Sequence, residues 1–349
     1  MKNIYARLLD EQKDKRLVLA TIVSTKGSSP QVPGASALFL KKGLLTGTLG
    51  GGILEAKAEE KALESLQTGK SSLARFELYA DITSEEEGIC GGEATILFDA
   101  QPADHEIVFQ KMTQSLKNRN SGILVTHIQM KGDKIQKVSR SWQEKAEILG
   151  EEEEIKQAFS TGKPVFLFDR DTAVGEGKNV YLEPQFPFSH LVIAGAGHVG
   201  QAVAHIGDLL DFEVTVVDDR PEFANETRLS EADHIIVEDI GKAIEEMPKT
   251  ADTYFVIVTR GHSHDADALK ACIGSNVAYI GMIGSRRKIA LMREKFIDLG
   301  WATVPQFDRV FAPIGIDIQS KTVQEIAVSI TAELVQVRNQ VQSRIKEEK

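Results

Sequence analysis

Short apolar runs alternate with amphipathic stretches along most of this chain, and the alternation differs between its two halves. In the first half, Ile4, Leu8 and Leu9 share one face of a helix over residues 4–14, and residues 17–23 form an apolar, β-rich run. Residues 35–41 and 44–48 flank Lys42-Gly43 and predict a hairpin. Helical spacing follows Gly50-Gly51-Gly52 as far as Gly69, a residue suited to a helix stop. Residues 76–79 and 94–98 predict strands, 105–117 a helix, and 123–130 with 134–139 a second hairpin about Gly132-Asp133. Residues 140–180 carry mixed periods. Two prolines in Glu183-Pro184-Gln185-Phe186-Pro187 mark a boundary, which predicts an α+β domain over 1–183 and a second domain over 188–349.

Beyond the boundary, β runs at 234–237, 254–259 and 277–283 alternate with helical segments, the pattern of a parallel sheet. Thr322 is placed to cap a long terminal helix with an apolar stripe at Val323, Ile326, Ala327, Ile330, Leu334, Val337 and Val341. That stripe is expected to pack on its own domain, with a role in a homodimer as the second option.

The strongest local signal lies at residues 190–220. An apolar run ends in Gly195-Ala196-Gly197-His198-Val199-Gly200, a helical segment follows, and a second apolar run ends in Asp218-Asp219. Strand, glycine turn, helix, strand and acidic tip is the order of a βαβ nucleotide-binding unit, so a Rossmann-like domain is expected here. Gly195 would permit the turn, Gly197 would let backbone approach a pyrophosphate, and Gly200 would let the helix pack on the strand. Phosphate would rest on the helix N-terminus, and Asp218 would accept hydrogen bonds from a ribose diol.

Bulk properties narrow the function. A length of 349 residues exceeds one typical domain, and 42% hydrophobic with 26% charged residues is ordinary for a globular protein. A net charge of −10 argues against nonspecific nucleic-acid binding. No run approaches the roughly 20 apolar residues of a membrane span, and the charged N-terminus lacks a signal-peptide core. Two cysteines cannot support a disulfide framework, so a cytoplasmic setting is expected.

Three further loops follow β runs: Thr259-Arg260-Gly261-His262-Ser263-His264-Asp265, Gly281-Met282-Ile283-Gly284-Ser285-Arg286-Arg287-Lys288 and Ala312-Pro313-Ile314-Gly315-Ile316-Asp317. In an open α/β sheet such loops gather at the carboxyl ends of the strands. Arg286, Arg287 and Lys288 suit an anion or else form a solvated helix start, with Ser285 adding a hydroxyl or a cap. Arg260, His262 and His198 are further ligand candidates, His198 otherwise being a turn residue that faces solvent. His262, His264 and Asp265 have the composition of a partial metal site but need another ligand; hydrogen bonding to a ligand or a helix start is the alternative. In the first half, Gly50, Gly51 and Gly52 expose three N–H groups as a candidate anion cradle, with Glu55 capping the helix or facing the ligand. Cys90, in Gly88-Ile89-Cys90-Gly91-Gly92, is either a soft metal or sulfur ligand or a small buried residue, and Cys272 fits a core position.

Together these motifs resemble the XdhC/CoxI family, the accessory proteins of xanthine dehydrogenase and related molybdenum hydroxylases. GSSPQVPGASALFL, GTLGGGILEA and GICGGEATILF carry the resemblance in the first half. IAGAGHVGQAVA, VVDDRPEFAN, VTRGHSHDADAL, YIGMIGSRRK and APIGIDIQSKTVQEIAVSITAELV carry it in the second. One departure is Ile53, where many relatives have a cysteine in the glycine loop. The resemblance implies an accessory protein more than a catalyst. It would bind the molybdenum cofactor, a pyranopterin in mononucleotide or dinucleotide form, with Cys90 near the metal. It would support sulfuration by a cysteine desulfurase and hand the cofactor to an apo molybdenum hydroxylase. The alternative is an NAD-dependent oxidoreductase with His262 as acid–base residue; a scaffold with a vestigial site is a third reading.

Overall fold

The computed structural model describes residues 4–12, 16–78, 92–148, 150, 152–167 and 178–347. The chain divides into two compact units between Pro187 and Phe188.

The first unit contains α1 (Ile4–Glu11), β1 (Val18–Gly27), β2 (Ser36–Leu40), β3 (Gly43–Gly47), α2 (Gly52–Thr68), β4 (Ser72–Glu77), β5 (Gly92–Asp99), α3 (Glu106–Lys117), β6 (Gly122–Lys131), β7 (Lys134–Glu144), α4 (Lys145–Ile148), α5 (Glu153–Thr161), β8 (Val165–Leu167) and β9 (Lys178–Gln185). One antiparallel sheet has the order β3-β2-β1-β5-β4 and a second β7-β6-β9-β8. The Val18–Val23 part of β1, apolar but for Thr21, is buried because both of its faces are covered. Val18, Ala20 and Ile22 pack with Leu54, Ala58 and Ala62 of α2, whereas Leu17 and Leu19 pack with Tyr5, Leu8, Phe109 and Met112 of α1 and α3. Gly69 ends α2 in the left-handed region, at φ 66°.

Strand β4 starts earlier than the 76–79 run suggests, because Ser72, Arg75 and Glu77 on this sheet edge dilute its apolar pattern. Tyr79 of that run lies outside the described residues. Within 140–180, the described part resolves into the end of β7, α4, α5, β8 and the start of β9.

The second unit contains β10 (His190–Ala194), α6 (His198–Leu209), β11 (Glu213–Asp218), β12 (His234–Val237), α7 (Ile240–Glu246), β13 (Thr253–Ile257), α8 (His262–Cys272), β14 (Tyr279–Met282), α9 (Arg286–Asp298), α10 (Val304–Phe307) and α11 (Val323–Glu347). Five parallel strands run in the order β12-β11-β10-β13-β14, the doubly wound arrangement with its reversal between β10 and β13. Successive residues of β10 enter opposite layers. Val192 and Ala194 meet Ile244, Leu269 and Phe296 of α7, α8 and α9, while Leu191 and Ile193 meet Val203 and Ala204 of α6 and Ile330 and Leu334 of α11. Ile326, Ala327, Ile330, Leu334 and Val337 of the α11 stripe therefore pack on their own unit, and Thr322 Oγ1 accepts the Glu325 N–H at 3.2 Å as the expected cap. Among the described residues, no helix is long and apolar enough to cross a membrane.

Candidate functional site

The parallel register brings Val217, Ala194, Ile257 and Met282 side by side, so the loops after β11, β10, β13 and β14 emerge at one edge of the sheet. Helices α6, α8 and α9 begin at that edge. Ser285 caps α9, accepting the Lys288 N–H at 3.3 Å. Gly197 and Gly261 precede α6 and α8 and give no side-chain cap, leaving those helix ends to an outside acceptor.

The three glycines of the turn differ in what they require. Gly195 has φ 114°, a conformation that disfavours any side chain. A β-carbon at Gly200 would lie 1.8 Å from the Gly195 carbonyl oxygen, so only glycine lets α6 approach β10 this closely. Gly197 is different: its φ of −69° suits any residue, and a β-carbon there meets nothing within 4 Å. Gly261 likewise has extended backbone, at φ −170°, and open space around it. Two glycines that neither backbone nor packing demands stand at two uncapped helix ends.

Charges at this edge are partly matched. Arg220 pairs with Asp218, Arg260 donates to Asp219 at 2.8 Å, and Lys288 donates to the fully buried Asp265. Arg286 and Arg287 are exposed and have no internal acceptor among the described residues. His198 and His262 are also exposed and unpartnered there, while His264 Nε2 lies 4.0 Å from Asp219.

Asp218 is not presented as the motif suggests. Its side chain is 2% exposed and accepts from the Ala196 N–H at 2.8 Å and from the Arg220 backbone N–H and guanidinium. Burial alone would raise its carboxyl, but the bonds from Arg220 and Ala196 outweigh that and hold it below the ordinary range. Asp265 is likewise unavailable to a metal shared with His262 and His264, because Lys288 and the Thr259 hydroxyl, at 2.6 Å, take its oxygens. No cluster of three metal-binding side chains occurs among the described residues.

The glycine loop of the first unit is occupied by the chain itself. Gly50, Gly51 and Gly52 all have positive φ, at 114°, 70° and 57°. Glu55 Oε2 accepts from Leu49 N at 3.0 Å, Gly51 N at 3.3 Å and the Thr48 hydroxyl at 2.8 Å, and Gly50 N donates to Thr48 Oγ1 at 3.0 Å. Partial burial would raise the Glu55 carboxyl, yet these bonds lower it. Of the three N–H groups expected to cradle an anion, that of Gly51 holds the Glu55 carboxylate and that of Gly50 the Thr48 hydroxyl, and Glu55 caps α2.

Cys90 lies outside the described residues. Cys272 is buried, its thiol donates to the Ala268 carbonyl at 3.3 Å, and burial pushes its pKa up to about 12. Sequence reasoning assigned no role to Arg220, Asp219 or Gly261, and it grouped Lys288 with Arg286 and Arg287 toward an anion, whereas Lys288 pairs with Asp265. Only Gly261 had a readable signal, a glycine between a strand end and a helix start. It also missed that Phe311–Ile314 run beside β14, where the Phe311 N–H donates to Ile280 O at 2.9 Å and the Ile314 N–H to Met282 O at 3.1 Å. Tyr279 and the Gly315 N–H, at 2.9 Å, both donate to Glu333 of α11 and tie that last loop to the sheet.

Residues 191–334 match the XdhC Rossmann domain, and residues 11–77 match the XdhC and CoxI family. The uncharacterized protein YqeB of Escherichia coli strain K12 is 24% identical over 94% of this chain, which spans only 45% of that longer relative. A probable xanthine dehydrogenase subunit of Bacillus subtilis strain 168 is 26% identical, with 96% of each chain covered. The molybdenum cofactor insertion chaperone PaoD of Escherichia coli strain K12 is 23% identical over 93% of this chain and 84% of that protein. A solved structure described as a xanthine dehydrogenase from Bacillus halodurans has the same fold, with a TM-score of 0.75 at 21% identity and 96% of each chain covered. The chain belongs to the XdhC/CoxI family, with the XdhC Rossmann domain forming its second unit.

Proposed function

We propose that this chain is an accessory protein that holds the molybdenum cofactor by its phosphate-bearing tail and delivers it to a xanthine dehydrogenase-type hydroxylase. The observation that carries the reading is the pair of helix ends without a side-chain cap at Gly197 and Gly261, at the same edge of the sheet as Arg286 and Arg287, which have no internal acceptor among the described residues. Helix N-termini favour anions, glycines without side chains admit close approach, and arginine binds phosphate through a planar fork. The likeness to PaoD and to the Bacillus subtilis protein supports the identity of cargo and recipient.

On this reading His198, His262 and Ser285 border the same anion, and Arg260 is held in place by Asp219. Sulfuration of the cofactor with a cysteine desulfurase would draw on Cys90, since the buried Cys272 is not accessible. A nicotinamide-dependent oxidoreductase fits less well, because His262 has no carboxylate partner among the described residues to orient it as an acid–base group.

The test is retention of isolated molybdenum cofactor by the purified chain under anaerobic, reducing conditions, followed by activation of an apo hydroxylase. Arg286→Ala with Arg287→Ala is expected to weaken retention by about tenfold or more, the scale of lost charge-assisted hydrogen bonds. Unchanged retention in a folded double variant would refute the anion site.

A further inference from the structure

The residue that closes the acidic end of the glycine turn is Arg220. Asp218 Oδ1 accepts from Arg220 N at 3.0 Å and Arg220 Nε at 2.8 Å. Asp218 Oδ2 accepts from Arg220 Nη2 and Ala196 N, both at 2.8 Å. A carboxylate offers about four lone-pair sites, so these donors saturate it. The guanidinium is further fixed by Phe223, whose ring centre lies 3.9 Å from it. The neighbouring acid, Asp219, is engaged by Arg260. A ribose diol brings two hydroxyl donors and finds no unoccupied carboxylate lone pair on Asp218.

We propose that Arg220 is a specificity-determining residue that blocks the ribose-reading position of this βαβ unit, so that the site selects a phosphate-bearing ligand without reading its nucleoside. The inference rests on the anion site proposed above and deepens it. The turn keeps the part that binds phosphate, namely Gly195, Gly197 and the free end of α6. The part that elsewhere reads a nucleotide's ribose is filled by the chain's own side chain. Ligands that share a phosphate group but differ in what hangs beyond it would then compete on nearly equal terms.

The experiment measures binding of inorganic pyrophosphate, ADP and 2′,3′-dideoxy-ADP to the full chain and to Arg220→Ala by calorimetry. The two nucleotides carry identical phosphates and differ only in the diol. The unaltered chain is expected to hold them within about twofold of each other. Arg220→Ala is expected to prefer ADP by about tenfold or more, as Asp218 becomes free to accept charge-assisted bonds. Arg220→Lys keeps a charge beside Asp218 but cannot form the bidentate pair; it is expected to shift the ratio the same way, less far, and serves if the alanine variant does not fold. A strong preference for ADP in the unaltered chain, or an unchanged ratio in the folded variants, would overturn the inference while leaving the anion site intact. Absence of binding of all three ligands to every protein would overturn the anion site and this inference with it.

Discussion

A β-carbon placed on Gly200 would come within 1.8 Å of the Gly195 carbonyl oxygen, whereas one placed on Gly197 would touch nothing within 4 Å. The two glycines of one turn therefore serve different ends. Gly200→Ala must push α6 off β10 and is expected to destabilise the fold by about 1–3 kcal/mol, the usual range for overpacking. Gly197→Ala is expected to change stability by less than about 0.5 kcal/mol, as for a surface substitution, yet to weaken pyrophosphate binding. Denaturant midpoints and calorimetric titrations of both variants check this, and equal stability losses would contradict the assignment.

Tyr5 of α1 donates to Glu183 of β9 at 2.7 Å, and Gln185 donates to the same carboxyl at 2.6 Å. Burial raises the Glu183 pKa to about 7, against the pull of Tyr5, Arg140 and Gln185. The folded chain thus holds this proton more tightly than the unfolded chain. The resulting stability is complete below the unfolded pKa of about 4.3 and is lost as pH rises through about 7. Glu183→Gln is expected to remove that slope, so the variant gains on the parent by the order of 3 kcal/mol between pH 5 and 8.5. Urea unfolding across that range would expose an unchanged slope, which would sink the assignment.

Lys288 in the first turn of α9 and Asp265 in the first turn of α8 form a pair whose carboxylate is wholly buried. Replacing Lys288 by Met leaves that charge without its cation and is expected to cost about 3–5 kcal/mol. Adding Asp265→Asn should recover much of the loss, because both charges are then gone. A double variant as unstable as the single one would show that the pair is not what matters here.

Cys272 is buried, and its thiol is held protonated by desolvation. In a Cys90→Ser background, a thiol-specific reagent at pH 8 should leave the native chain unlabelled and label it fully in denaturant. Rapid labelling of the native chain would mean that Cys272 is accessible to sulfur chemistry.

Much of the second unit was legible as a linear pattern. Its strands are short apolar runs, its glycine turn has a fixed spacing, and Thr322 announces the last helix. Those signals are local, and local backbone preference decides them. Residues 140–180 were less legible because α4, α5 and β8 are short and half exposed, so no period accumulates. The glycine loop of the first unit left two alternatives open in the sequence for another reason. Glu55 was a visible candidate cap, but whether its carboxylate turned inward depended on how the loop closed over α2.

The order of residues determines that strands alternate with helices beyond Phe188 and that Gly195, Gly197 and Gly200 open a helix after a strand. It also places Arg220 two positions from Asp218. It does not say that the strands stand in the order β12-β11-β10-β13-β14, that Lys288 meets Asp265, or that Tyr5 meets Glu183 across 178 positions. Those outcomes belong to the folded chain alone. A buried charge must find a partner once water is withdrawn, and which partner lies within reach depends on packing between distant segments.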